Sequence, residues 1–225
     1  MSEPVFPPVF GKNAIAFFTT RSAGADPGAA ARIAGIDPGK VYLPVQKHTD
    51  KVHFVDASFE PVVADAVLTA RRGILLGVKT ADCVPILVCD PVRRVVGAVH
   101  AGWRGTASGI LAGALRAASE RYGCVPENML VAIGPSIRQC CYEVDPDVAH
   151  QVAAAAGEGT CAERRGSKFR LDLQEANRLQ ARKSGVPPEK IWVSPECTHC
   201  LPEKFFSFRY AKVSAARQAG FIMMQ

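Results

Sequence analysis

From residue 40 onward the chain is built of short apolar runs separated by glycine, proline and aspartate. KVHFVDA, ADAVLTA, GILLGVKT, VPILVCD and RVVGAVH are rich in β-branched residues and bounded by turn formers, the pattern of strands. Further strands are predicted at AIAFFTT, MLVAIGPS, KFRLD, IWVSP, FFSF and GFIMM. Asp90-Pro91-Val92-Arg93 carries proline at the second position of a type I turn and predicts a hairpin. Helical spacing of apolar residues marks TASGILAGALRAASERYG, with a Thr/Ser start and Gly123 as its stop. DPDVAHQVAAAAGEG opens with Asp145 as cap and Pro146 at the first helical position. LDLQEANRLQARKSG is capped by Asp172 and closed by Gly185, and RSAGADPGAAARIAGIDPGK reads as a loop around one short helix. Clustered strands, interposed helices and a hairpin predict an α/β (α+β) chain with mixed sheets covered by helices, not a parallel doubly wound fold.

Composition narrows the classes. Of 225 residues 48% are hydrophobic, enough for the core of one domain or of two closely fused halves. The longest apolar stretch, GILLGVKTADCVPILVCDP, is interrupted by Lys79, Asp82 and Pro85 and reads as two buried strands and a turn. No membrane partner is expected. MSEPVFPPVFG lacks a basic start and a long apolar core, so the N-terminus does not read as a signal peptide. Eight cysteines then read as reduced thiols of a cytoplasmic protein rather than a disulfide framework. Cys140-Cys141 and Cys197-Thr198-His199-Cys200 are the close pairs, and neither recurs; a lone CxxC reads as packed or redox-idle thiols before a zinc knuckle. The net charge of +6 is dispersed and not interleaved with aromatics, which argues against nucleic acid and suits a small anionic substrate.

Candidate chemistry sits at three strand ends. His48 in QKHTD precedes KVHFV, Cys83 in TADC lies where GILLGVK ends, and His100 closes RVVGAVH. Together they make a His₂Cys set; thiolate and imidazole suit zinc, and three protein ligands with an open fourth position is the catalytic arrangement. Singly, Cys83 also reads as a small buried hydrophobe and His48 as a surface ring. His53 reads as a strand-surface residue, His150 as solvent-facing and His199 as a spare ligand candidate. Arg104, between Gly102 and Gly105 and ahead of a helix expected near Thr106, could hold a phosphate with those amides or pair with a structural carboxylate. Gly134-Pro135-Ser136 reads as another wall of the cleft, with Ser136 a phosphate contact, and Arg209 in FFSFRY as a second cation.

QKHTDKV, TADCVPILVCDP, VHAGWRGTASGI, AIGPSIRQCCYEV, CTHC with FFSFR, and ARQAG, in this order, resemble the bacterial purine nucleoside phosphorylase (YfiH-like) family. Its members were formerly classed as multicopper polyphenol oxidases or laccases, and some are called peptidoglycan editing factors. The resemblance implies one domain over residues 1–225 and a sandwich of mixed sheets akin to the cytotoxic-necrotising-factor hydrolases. It implies one zinc ion on His48, Cys83 and His100, with nucleoside and phosphate as small-molecule partners of a monomer or homodimer. The implied reactions are phosphorolysis of adenosine, inosine, guanosine and methylthioadenosine, and hydrolytic deamination of adenosine. This chain departs from the family pattern in a shorter N-terminal segment, in Tyr210 where SxRR has its second arginine, and in Ala216 before Arg217.

Two enzymatic readings follow. In the first, zinc activates water for deamination, Asp82 shuttles a proton or merely bonds a loop amide, and Arg104 with Arg209 positions phosphate. In the second, Cys83 is the nucleophile and His100 the base of a cysteine hydrolase cleaving an amide, for instance in a peptidoglycan precursor. Copper oxidation is disfavoured, because five histidines are too few for a multinuclear copper cluster beside a blue-copper centre. A non-catalytic nucleoside-binding module is the remaining class.

Overall fold

The apolar run GILLGVKTADCVPILVCDP folds as two strands that belong to different sheets, and the turn between them carries Asp82 and Cys83. The computed structural model describes residues 2–56, 58–157, 160–212 and 216–225. In chain order the first half contains β1 (Ala14–Phe18), α1 (Pro27–Ala34), β2 (Val41–Tyr42), β3 (Val52–Phe54), β4 (Ala66–Thr69), β5 (Leu75–Thr80), β6 (Val84–Asp90) and β7 (Val95–Ala101). Then come α2 (Trp103–Ala107), α3 (Ile110–Tyr122), β8 (Leu130–Ile133), β9 (Glu143–Val144), α4 (Pro146–Ala156), β10 (Ala162–Arg165) and β11 (Lys168–Leu171). The last elements are α5 (Leu173–Lys183), β12 (Ile191–Val193), α6 (Phe208–Ala211) and β13 (Gln218–Met224).

A four-stranded sheet, β1-β13-β5-β2, packs on a six-stranded sheet, β12-β8-β6-β7-β4-β3; both mix parallel and antiparallel pairs. Between them Phe18, Leu76, Val78 and Ile222 of the smaller sheet meet Val67, Leu87, Val96 and Ala132 of the larger. The outer face of the larger sheet is covered by α3, α4 and α5, and that of the smaller by α1 through Ala30 and Ala34. Helices thus cap both sides of a sheet sandwich, as the strand and helix pattern predicts. Because both faces are covered, β6, β7 and β13 are buried at every position and read as unbroken apolar runs. The β6–β7 hairpin pairs Val84 with Ala101 and Asp90 with Val95, and Asp90 Oδ1 accepts the turn amides of Val92 and Arg93.

Three expectations are corrected. FFSF is not a strand: Phe206 exchanges two hydrogen bonds with the Gln218 side chain, and Ser207 caps α6 by accepting from the Tyr210 amide. These bonds satisfy the backbone locally, so no ladder is needed. The helix expected from Thr106 begins at Trp103 and breaks at Gly109, whose φ of 71° is left-handed, before α3 resumes. Asp145 flanks α4 with Pro146 at its first position but makes no side-chain cap; its carboxylate pairs with Lys168 instead. The end of that stretch, Glu158 and Gly159, lies outside the described residues. Asp172 does cap α5, accepting from the Glu175 amide at 2.9 Å.

Candidate metal centre and its cavity

His48, Cys83 and His100 reach one point from three segments, with their ligand atoms all within 4.8 Å of one another. His48 Nε2 lies 3.9 Å from Cys83 Sγ, and the two imidazoles stand edge-on, 4.9 Å apart between centroids. His48 is exposed, Cys83 half-buried and His100 buried. Burial grades inward from solvent, as a site that holds an ion and admits a small molecule requires.

What fixes this triplet is a residue the strand pattern conceals. Asp65, fully buried at the entry to β4, accepts from His100 Nδ1 at 2.8 Å. Its oxygens also accept the amides of Lys47, His48 and Thr49, and the Thr49 hydroxyl. One carboxylate therefore holds the ring of one ligand and the backbone of another. His48 adopts a φ of 58°, unusual outside glycine, and three consecutive amides turned onto Asp65 hold it there. Gln46 anchors the same loop to β5 through reciprocal 2.8 Å bonds with the Lys79 backbone. With Nδ1–H committed to Asp65, His100 keeps Nε2 for the centre, the carboxylate–histidine pairing that orients metal-bound imidazoles.

Electrostatics follow from the packing. Burial opposes ionisation of Asp65, but hydrogen bonds from His100 and Thr49 outweigh it and hold the carboxyl well below its usual range. Burial also raises the Cys83 thiol, yet hydrogen bonds and charge from His100 and His48 draw it down to about 6. Burial lowers His100, and its bonds to Asp65 and Cys83 lift it to about 9. The donor set favours a thiolate, which is the form that binds a metal.

Gly102 completes the corner. A Cβ there would lie 3.0 Å from Cys83 Sγ and 3.1 Å from His48 Cδ2, so any side chain would have to push a ligand aside. The earlier start of α2 puts Arg104 within its first turn rather than ahead of it. The Arg104 guanidinium lies 4.4 Å over Trp103, and among the described residues no carboxylate pairs with it.

A cavity of about 820 Å³ opens above the triplet. Trp103, Tyr142, Ile137 and Phe208 contribute apolar surface, and Arg104, Arg209, Arg217 and Lys79 contribute charge. Arg209 lies 5.1 Å over the Tyr142 ring and donates to the Glu143 carbonyl. Asp82, at a φ of 89°, accepts the Thr198 hydroxyl on one oxygen and the Arg209 amide on the other, each at 2.7 Å. Of the two roles weighed for Asp82, this bonding is that of the loop anchor. Ser136 is fully buried with its hydroxyl toward the Ile137 carbonyl, and the next residue, Ile137, lines the cavity. His53 is half-buried against Tyr42, His150 is exposed beside Phe169, and His199 stands edge-on to Tyr210; none joins the triplet. Asp65, Tyr142 and Arg217 belong to the site without a motif of their own; a lone aspartate inside the apolar run ADAVLTA is the available signal for the first.

Comparison with known proteins agrees with this architecture. Residues 19–225 match the family described as multi-copper polyphenol oxidoreductase laccase. YlmD of Geobacillus stearothermophilus, a purine nucleoside phosphorylase, is 40% identical over 70% of this chain and 59% of its own length. Its crystal structure superposes with a TM-score of 0.88 at 30% identity, covering 97% of this chain and 94% of that one. The mouse purine nucleoside phosphorylase LACC1 is 32% identical over 87% of this chain and 46% of its own length. Adenosine deaminase RL5, from an unknown prokaryotic organism, is 33% identical over 81% of this chain and 74% of its own. The chain spans about half the length of the first two curated relatives it matches.

Proposed function

The chain belongs to the multi-copper polyphenol oxidoreductase laccase family, and from that membership we propose that it is a zinc-dependent purine nucleoside phosphorylase that also deaminates adenosine. The observation that carries the proposal is the convergence of His48, Cys83 and His100 on the floor of a cavity ringed by arginines and aromatics. The cavity volume is within the range of small-molecule sites, and flat aromatic walls with cationic corners suit a purine joined to a sugar and a phosphate. The names of the relatives support the same substrates.

Two imidazoles and a thiolate within reach of one another fit a single zinc ion, with Asp65 holding the His100 tautomer. When bound, zinc supplies Lewis acidity toward an attacking water or a polarised oxygen. The chain's own residues do the rest. In phosphorolysis, Arg104 and Arg209 hold phosphate against the anomeric carbon; a phosphate oxygen bonds that carbon as the glycosidic C–N bond breaks and the electron pair leaves with the purine. Two guanidiniums offset the charge drawn together in that step. Trp103 and Tyr142 sandwich and orient the base. Asp82 acts at one remove, holding the Arg209 backbone so that the guanidinium faces the cavity.

Product analysis on adenosine tests the assignment: adenine and ribose 1-phosphate with phosphate present, inosine without it, both abolished by Cys83→Ala. Turnover surviving Cys83→Ala would overturn it. The depressed Cys83, raised His100 and buried Asp65 also have the order of a thiol–imidazole–carboxylate relay, which favours the amidase as second reading. Zinc separates the two, since it should block alkylation of Cys83 in the first case and inhibit turnover in the second.

A further inference from the structure

The cysteine pairs that stand alone in the sequence meet in the fold. Cys140 and Cys141, in the loop after β8, face Cys197 and Cys200, in the loop after β12. All four Sγ atoms lie within 4.8 Å of one another, with Cys200 at 3.2 Å from Cys141 and 3.7 Å from Cys140. The expectation that CxxC lacks a second pair is therefore corrected: the second pair is a CC dipeptide about 60 residues upstream.

We propose that Cys140, Cys141, Cys197 and Cys200 form a closed tetrathiolate zinc site, separate from the His₂Cys centre, that fastens together two walls of the cavity. Three observations carry it. First, the spacing suits a metal better than a disulfide. A tetrahedron with zinc–sulfur bonds of 2.3 Å has edges of about 3.8 Å, whereas bonded sulfurs stand about 2.05 Å apart.

Second, the backbone is already arranged for thiolates. Cys197 Sγ accepts the Arg138 amide at 3.4 Å.

Third, the surroundings offset charge. A zinc tetrathiolate carries two negative charges, and the Arg170 guanidinium reaches the cluster, donating to the Cys140 carbonyl at 3.1 Å.

The placement explains what such an ion would do. Ile137 and Tyr142, on either side of the CC pair, line the cavity, and Thr198 within the CxxC bonds Asp82. The Ser136–Cys197 bridge and the Thr198 amide bonded to Ser136 already join the two loops. Four sulfurs and no open position make this a structural site rather than a second reactive one.

The test is zinc content of the full chain purified under reducing conditions, followed by cobalt replacement. Two zinc per chain are expected, falling to one in the Cys140→Ser/Cys200→Ser double variant and to one in Cys83→Ala. Cobalt bound to Cys83→Ala should show the intense thiolate charge-transfer bands of a tetrathiolate, and adding Cys140→Ser and Cys200→Ser should abolish them. Should the double variant not fold, Cys200→His, which offers a Cys₃His set, should retain two zinc with a shifted cobalt spectrum. One zinc per chain that vanishes in Cys83→Ala, iron and inorganic sulfide in place of zinc, or a Cys141–Cys200 disulfide in freshly purified protein would each overturn the proposal.

Discussion

Replacing Asp65 by asparagine changes almost no volume and removes one charge, which isolates what the carboxylate does. Its two oxygens collect five donors: the His48 amide and His100 Nδ1 on one, the Lys47 and Thr49 amides and the Thr49 hydroxyl on the other. Asparagine offers one acceptor oxygen, so its amino group must face either two or three of those donors. In the better orientation the His48 amide and His100 Nδ1 lose their acceptor. Charge-assisted bonds are worth about 1.5–3 kcal/mol each, so two lost bonds cost about 3–6 kcal/mol of stability. A domain of ordinary stability survives that with a lower melting temperature. His100 can recover a partner only by taking the other tautomer, which places its proton on the nitrogen needed by the metal. Loss of a ligand-orienting carboxylate typically weakens metal binding about 10–100-fold. The assay is zinc competition against a chromophoric chelator beside urea unfolding of the metal-free chain. Thr49→Val serves as control, since it removes one hydroxyl bond to Asp65 and leaves the tautomer alone; about 1 kcal/mol of stability should go, with little change in zinc affinity. The sign with pH follows. A carboxyl held below its ordinary value stabilises the fold fully above about pH 4 and loses that contribution as pH falls further, so Asp65→Asn should flatten the acid limb. If Asp65→Asn binds zinc as tightly as the parent while losing stability, the orienting role is refuted.

Gly102→Ala places a methyl 3.0 Å from Cys83 Sγ and should lower zinc occupancy at saturation, measured by elemental analysis. Gly113→Ala, in the interior of α3 with nothing within 4 Å of the new carbon, should instead stabilise by about 0.5–1 kcal/mol in urea melts. Arg104→Ala and Arg209→Ala should each raise KM for phosphate by about 10–100-fold, the loss of one charge-assisted contact. Inosine formation without phosphate should change far less, and equal loss of both reactions would refute the phosphate assignment. In the metal-free chain, alkylation of Cys83 should rise with pH about a midpoint near 6 and be blocked by zinc. Cys89 and Cys124, which burial pushes up to about 12, should stay unlabelled at neutral pH.

The triplet was legible because strand ends are marked in sequence. Each ligand follows or precedes a β-branched run, and Gly102 announces a close approach. Asp65 was hidden because strand patterns register side-chain polarity, whereas its partners are backbone amides of residues 47–49, which carry no signature of their own. The FFSF error has the mirrored cause: aromatic alternation mimicked a strand, while the bonds that decide the backbone come from Gln218, twelve residues away. Gly109 was legible as glycine but not as a break, since its φ of 71° depends on α2 docking through Thr106 to Asn177 and Gln180 of α5. The four-cysteine cluster could not be read from spacing, because two parallel strands with intervening helices bring its halves together.

One chain of contacts ties the cysteine cluster to the triplet. Asp82, adjacent to Cys83, bonds Thr198 inside the CxxC, and its other oxygen bonds the Arg209 amide. The Asp82 carbonyl accepts the Ile137 amide, the residue that leads into the loop carrying Cys140 and Cys141. A left-handed residue at the crossing from β5 to β6 thus joins both sheets, the cysteine cluster, the triplet and one arginine of the cavity. The span from cluster to triplet is bridged by a few short hydrogen bonds to one carboxylate, so the cluster can set the position of the Arg209 segment without touching substrate. That arrangement predicts an asymmetry under substitution. Asp82→Asn keeps Cys83 in place but removes the carboxylate charge, weakening the bonds that hold the Thr198 hydroxyl and the Arg209 amide. It should therefore impair phosphate use more than zinc binding, with KM for phosphate rising while zinc per chain is unchanged. Loss of zinc in parallel with phosphate affinity would show instead that the turn at Asp82 sets the geometry of Cys83 itself.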